Sequence, residues 1–250
     1  MSLFRVLYRF NCLLAVLFFF TGVGFVLKWM FGTDPRKHRR HVANFTRLWA
    51  KCFCRVLNIR LKMEGNVRPS RGTLIVANHV GSPDIFVLGF CFGTFFLSKH
   101  DVANWPIVGT LARLGLTVFV DRSRKHQVKA NIEDMARRLG EGDSIVLFAE
   151  GGASDGSDVL PFKTSFFEAA VISRSPVLPI AISYLDPGRP SVACWRNTTF
   201  ATHFFNLLSH PQLEAEVGVL PEIPSEVGRK ELAKKSRSSI QFFLQRKSIC

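Results

Sequence analysis

His79 and Asp84 stand five positions apart in Asn78-His79-Val80-Gly81-Ser82-Pro83-Asp84, directly after the apolar run Thr73-Leu74-Ile75-Val76-Ala77. An imidazole held by a carboxylate is a ready general base: one ring nitrogen is fixed as a donor and the other keeps its lone pair. Ser82 followed by Pro83 reads as an N-cap and first helical residue. His79 then falls in a strand-to-helix turn and Asp84 in the first helical turn. Amides at such a helix start could also stabilise developing negative charge. A histidine in a turn beside a helix-capping aspartate fits the same spacing, so this segment alone does not fix a function.

Further segments follow in order. Lys99-His100-Asp101-Val102-Ala103-Asn104-Trp105-Pro106-Ile107-Val108-Gly109 leads from a strand into a helix. Gly115 to Val120 is a strand ending in Asp121-Arg122. Ser144 to Phe148 is a buried-looking strand ending in Ala149-Glu150-Gly151-Gly152-Ala153-Ser154-Asp155-Gly156. Leu160-Pro161-Phe162-Lys163 precedes a helix, and Val177-Leu178-Pro179-Ile180 opens another strand. No G-x-S-x-G elbow is present, so nothing calls for a serine acyl-enzyme.

These blocks (H-x4-D, K…P-x-x-G, V-D-R, F-x-E-G and V-L-P-I) resemble, in order and spacing, the glycerolipid acyltransferases. The resemblance is to bacterial-type 1-acylglycerol-3-phosphate acyltransferases, over roughly residues 40–245. It implies that His79 deprotonates an acceptor hydroxyl for attack on an acyl thioester, with Asp84 as its orienting and charge-balancing partner. By the same resemblance Arg122 contacts the acceptor phosphate, and Glu150 and Gly151 belong to the acceptor-binding block. Lys99 and Lys163 are further anion-binding candidates. The implied reaction moves a fatty acyl group from acyl-carrier protein or coenzyme A to 1-acylglycerol 3-phosphate (lysophosphatidic acid), giving phosphatidic acid. It needs no metal or bound redox cofactor.

Three positions depart from the family pattern. Ala149 replaces the usual Pro, and Gly152 and Ala153 stand where Thr and then Arg, Thr or Ser are common. The loop loses a rigid residue and a hydroxyl and gains a flexible glycine. The Ser154–Lys163 block, with Trp195-Arg196-Asn197-Thr198-Thr199-Phe200 downstream, also resembles relatives that acylate lyso-ornithine lipids. For such an acceptor Arg122 would meet a carboxylate or serve structure. A non-catalytic lipid-binding protein on the same fold is the remaining alternative, and retention of both His79 and Asp84 counts against it.

The elements that must position these residues alternate from residue 59 onward. Strands are expected at Ile59–Met63, Thr73–Ala77, Phe95–Ser98, Thr117–Val120, Ser144–Phe148, Val177–Ser183, Ser191–Trp195 and Ala215–Val219. Helices are expected at Pro83–Phe92, Ile107–Arg113, Lys125–Leu139, Thr164–Ser173, Phe200–Leu208 and Arg229–Gln245. Such alternation predicts an α/β sandwich on a mixed, mostly parallel sheet, with sites in loops at the carboxyl ends of strands.

Residues 1–58 read as a separate helical membrane module ahead of a catalytic domain at 59–250. Phe10 to Leu27 carries no charge and as a helix would be about 27 Å long, near the thickness of a hydrocarbon core. It could span once or lie in the interface; no small-residue cleavage pattern marks it as a secretory signal. A second helix is expected from about Arg39 to Asn58, with Val42, Phe45, Trp49, Cys52, Phe53 and Val56 on one side and Arg47, Lys51 and Arg55 on another. The net charge is +14, and +11 of it lies in residues 1–62, where Asp34 is the only acid. That asymmetry points to an anionic membrane surface, with the catalytic domain on the cytoplasmic face of a bacterial inner membrane. Nucleic acid is excluded as partner: the cations are coupled to apolar segments and no binding module appears. The six cysteines are scattered without a C-x-x-C and read as reduced fillers.

Overall fold

The computed structural model describes residues 2–65, 69–70, 72–121, 124–186 and 191–248. Two long helices lead, α1 (Ser2–Phe31) and α2 (Pro35–Val56). There follow β1 (Ile59–Glu64), β2 (Leu74–Ala77), α3 (Pro83–Phe92), β3 (Phe95–Lys99), α4 (Val108–Leu114), β4 (Val118–Val120) and α5 (Lys125–Gly140). The chain ends with β5 (Ile145–Phe148), α6 (Glu168–Ser173), β6 (Val177–Tyr184), α7 (Phe200–Ser209), β7 (Leu213–Val219) and α8 (Arg229–Ser248). The strands form one sheet in the order β1-β7-β6-β2-β5-β3-β4. Every neighbouring pair is parallel except β6 with β7. The expected mixed, mostly parallel α/β architecture is therefore the one observed.

The central strand shows why the pattern works. All four residues of β2 are buried, because a parallel strand between helical layers has no solvated face. Ile75 and Ala77 join a core with Leu178, Ile180, Val87 and Phe53 on one side; Leu74 and Val76 join Leu147, Met135 and Phe167 on the other. β2, β5, β3, β4 and β6 run in one direction, so their carboxyl ends share one edge of the sheet.

Three local expectations need correction. Ser191–Trp195 is not a strand. It turns, with the Cys194 amide on the Ser191 carbonyl, and crosses the His79 loop, where the Trp195 amide donates to the Val80 carbonyl at 3.0 Å. Ala193 is buried and Val192, Cys194 and Trp195 are half-buried, and none of them is paired in the sheet. The predicted helix at 164–173 is a 3-10 turn over Ser165–Phe167 running into α6. The second helix begins at Pro35, earlier than expected, because the Asp34 side chain accepts from the Lys37 amide at 3.1 Å and caps it.

Helix α1 is long and apolar enough to cross a bilayer, about 45 Å at 1.5 Å per residue. It packs along its length on α2, α4 and α7. Val6, Leu13, Phe20 and Leu27, seven residues apart, are buried, while Phe4, Tyr8, Phe18, Phe19, Phe25 and Trp29 are exposed. Val6 and Leu13 belong to the same core as the sheet. The basic surplus is partly internal. Arg9 is buried and donates to the carbonyls of Leu208 at 3.1 Å, Pro211 at 2.9 Å and His210, at the carboxyl end of α7. Arg39, also buried, pairs with Glu141 and with Asp143 at 2.7 Å. Arg47 donates to the Phe90 carbonyl.

Helix α7 is tied in turn to the start of α3. His203 is buried, with Nε2 at 2.8 Å from the Ser82 hydroxyl and a second bond to the Cys194 backbone. Ser82 precedes Pro83 as expected but makes no side-chain cap. Its hydroxyl faces His203 instead, and the first amides of α3, those of Asp84 and Ile85, bond the carbonyls of Gly81 and Ser82. Burial pushes the His203 imidazole down to about 4.

Two outcomes follow. Arg9→Ala removes a charged donor from three carbonyls at a helix end, and is expected to lower stability by about 3 kcal/mol in detergent melts. An unchanged melting temperature would sink that reading. Unfolded, His203 binds a proton near its ordinary value of 6.5; folded, only near 4. Its contribution is therefore complete above about pH 6.5 and lost as pH falls toward 4. Melting temperatures should decline across that window, and His203→Gln should flatten the decline.

Candidate active site

The His79 loop joins the carboxyl end of β2 to α3. His79 Nδ1 lies 2.7 Å from Asp84 Oδ2. The same oxygen accepts from the Val80 amide at 2.7 Å and the Gly81 amide at 3.1 Å, and Oδ1 accepts from the Tyr184 hydroxyl at 2.6 Å. Asp84 is wholly buried, a position a carboxylate holds only when donors replace its water. An ionised carboxylate accepts and cannot donate, so the imidazole proton sits on Nδ1 and Nε2 carries the lone pair. The ring stacks on Phe148, centroids 4.1 Å apart, and the side chain is 17% exposed. It is thus oriented on one side and open to an incoming hydroxyl.

The expected use of the helix-start amides changes. Val80 and Gly81 donate to Asp84, and the amides of Asp84 and Ile85 bond the carbonyls of Gly81 and Ser82. These amides are thus engaged within the loop and the first turn of α3.

Glu150 follows β5, whose last residue Phe148 pairs with Ala77 of β2. One of its oxygens accepts from the His79 amide at 2.7 Å and the other from the Leu160 amide at 3.3 Å. Its carboxyl is raised by burial, a shift opposed by these backbone bonds. Both oxygens are occupied by backbone, so Glu150 supports the His79 loop from below. Gly151, at φ 82°, closes the turn after β5 in the left-handed region that glycine adopts without strain. The Ser154 amide donates to the His79 carbonyl at 2.7 Å. Gly81 is held so tightly that a Cβ there would lie 2.0 Å from the Ala193 carbonyl.

Two other predicted residues, Lys99 and Lys163, lie further along the same edge. Lys99 ends β3, exposed, in register with Val120 of β4. Arg122 lies outside the described residues. Lys163 is exposed, its amide donating to the Ala149 carbonyl, which ties the 160–163 segment back to the end of β5. His79, Asp84, Glu150 and Gly151 thus form one cluster. Sequence reasoning missed three residues that build it: Tyr184 on Asp84, His203 behind Ser82, and Asn78, whose amide group bridges the backbone N–H and carbonyl of Ile182. Each acts across about a hundred residues or more, with no local signature. Among the described residues no three His, Cys, Asp or Glu side chains converge to hold a metal ion. The described cysteines are free, and burial raises Cys54 to about 12 and Cys91 to about 11.

Comparison with known proteins identifies relatives of the chain. The model of the Acyltransferase family matches residues 58–183. A lyso-ornithine lipid O-acyltransferase from Rhizobium meliloti (strain 1021) is 36% identical over 205 residues, 75% of this chain and 70% of that protein. A 1-acyl-sn-glycerol-3-phosphate acyltransferase from Neisseria meningitidis serogroup B is 31% identical over 189 residues, 73% of this chain and 71% of that one. In three dimensions the chain is similar to the 1-acyl-sn-glycerophosphate acyltransferase PlsC of Thermotoga maritima. The TM-score is 0.76 at 21% identity, covering 99% of this chain and 96% of that one. That likeness carries the fold alone, whereas the family match spans β1 to β6 and includes the whole His79–Glu150 cluster. On that ground the chain belongs to the Acyltransferase family.

Proposed function

We propose that this acyltransferase moves a fatty acyl group from a thioester of coenzyme A or acyl-carrier protein to the free hydroxyl of a lyso-ornithine lipid. The observation that carries the chemistry is the 2.7 Å contact between His79 Nδ1 and Asp84 Oδ2. His79 Nε2 takes the hydroxyl proton as the oxygen attacks the thioester carbonyl. When the tetrahedral intermediate collapses, the same nitrogen returns the proton to the departing thiolate, so ester and free thiol leave together. Asp84 stabilises the imidazolium that exists between these steps.

The acceptor class rests on the relatives. Lyso-ornithine lipid acyltransferases of Rhizobium meliloti and Brucella abortus are 36% and 32% identical to this chain, and the 149–153 loop departs from the glycerophosphate pattern. A second reading, 1-acylglycerol 3-phosphate, is favoured by the V-D-R block with Arg122 and by the Neisseria relative. The exposed aromatic face of α1 fits membrane association. We place that face in the near leaflet of a bacterial inner membrane, with Lys28, Arg36, Lys37 and Arg40, all exposed, among the headgroups on the cytoplasmic side.

His79→Ala and Asp84→Ala are each expected to reduce transfer about 10²–10⁴-fold in vesicles supplied with acyl thioester; near-normal turnover in either would refute the mechanism. Offered both acceptors side by side, the purified protein should acylate lyso-ornithine lipid at least about 10-fold faster, a difference of about 1.4 kcal/mol in transition-state binding. The reverse order would establish the phosphate-bearing acceptor. Arg122→Ala should then lose activity selectively on that lipid.

A further inference from the structure

The His79–Asp84 pair has a third member that no sequence block marks. Tyr184 closes β6, on the face that also carries Ile180 and Ile182 into the core. Its hydroxyl donates to Asp84 Oδ1 at 2.6 Å, the oxygen that His79 does not use. Burial, with Asp84 and two cysteines nearby, holds the phenol well above its ordinary range, so it keeps its proton wherever the enzyme works.

The two oxygens of Asp84 are therefore served by different parts of the fold. Oδ2 is bound locally by His79, Val80 and Gly81; Oδ1 is bound across the sheet by Tyr184. Rotation about the Cβ–Cγ bond moves both oxygens together, so the Tyr184 bond at Oδ1 reinforces from across the sheet the orientation that three donors set at Oδ2. A phenol donor also withdraws basicity from the carboxylate, which limits how strongly Asp84 attracts the Nδ1 proton. Other ionisable groups face the pair from packed elements. They are Glu150 after β5, Cys54 of α2, Cys91 of α3, Cys194 ahead of α7 and His203. Of these only Glu150 bonds the His79 backbone, and none replaces the Tyr184 donor on Asp84.

We infer that Tyr184 is a positioning residue for the transfer reaction, locking the Asp84 carboxylate toward His79 and setting the basicity that His79 shows to the acceptor. The inference rests on the general-base reading given above.

The test is Tyr184→Phe, which deletes one hydroxyl and keeps the ring. Expected are a fall in kcat of about 10-fold, KM values for both substrates within about twofold, and an acid limb of the pH–rate profile moved to higher pH. The direction follows because a carboxylate without its phenol donor is more basic and holds the imidazolium longer. The chain has two tyrosines, and Tyr8 lies on the exposed face of α1. Biosynthetic replacement of tyrosine by 3-fluorotyrosine in a Tyr8→Phe background therefore alters Tyr184 alone and strengthens its donor. The acid limb should then move the other way, to lower pH, in a protein of native shape. Unchanged kcat and profile in Tyr184→Phe would overturn the inference, as would a rate loss with an unmoved acid limb, or fluorotyrosine protein titrating like wild type. Asp84→Asn run in parallel separates the two readings. If it stays active the general-base mechanism itself fails, whereas an inactive Asp84→Asn beside a normal Tyr184→Phe overturns only the role of Tyr184.

Discussion

The structure around the site depends on one buried negative charge. Asp84 has no access to solvent, and an unsolvated carboxylate persists only if the protein supplies the hydrogen bonds that water would have made. Two backbone amides, an imidazole and a phenol do so, from β2's trailing loop and from the far end of β6. That requirement explains the local details. Gly81 is needed where backbone passes backbone, Asn78 joins the end of β2 to β6, and Glu150 holds the His79 amide. Each places a donor where the charge sits or keeps the loop from opening around it.

A second consequence concerns the cations. The excess of positive charge near the N-terminus suggests lipid headgroups throughout, yet Arg9 and Arg39 face inward. Arg9 meets the unsatisfied carbonyls at the end of α7, and Arg39 the acids at the end of α5. The exposed cations Lys28, Arg36, Lys37 and Arg40 cluster around the turn between α1 and α2. Charge thus serves two purposes in these helices: docking them onto the sheet and presenting a basic rim beside an apolar face.

Much of the fold and the centre of the site were legible from local pattern. Apolar runs of four to eight residues and the Ser82-Pro83 start place the strands and α3. The five-residue interval from His79 to Asp84 brings ring and carboxylate together because one tight turn separates them. What was not legible depends on distance along the chain. Tyr184 reads as the last residue of an apolar strand, His203 as a histidine in an apolar helix, and Arg9 as a flank of a hydrophobic segment. Their roles arise only when β6, α7 and α1 are brought beside the His79 loop. Ser191–Trp195 differs for a related reason, since Val192, Ala193 and Trp195 pack beside the His79 loop, which composition does not distinguish from pairing in a sheet. The bonds from the His79 and Leu160 amides to Glu150 likewise have no local signature, since they join segments brought together by the sheet.

The packing of α1 has a mechanical meaning. Arg9 fastens α1 to the end of α7, His203 fastens α7 to Ser82, and Ser82 sits two residues from Asp84. The exposed apolar helix and the His79 loop are thus joined by two contacts, with no flexible tether between them. The position of His79 relative to the exposed aromatic face of α1 is set by the folded shape of the protein rather than by the length of a linker.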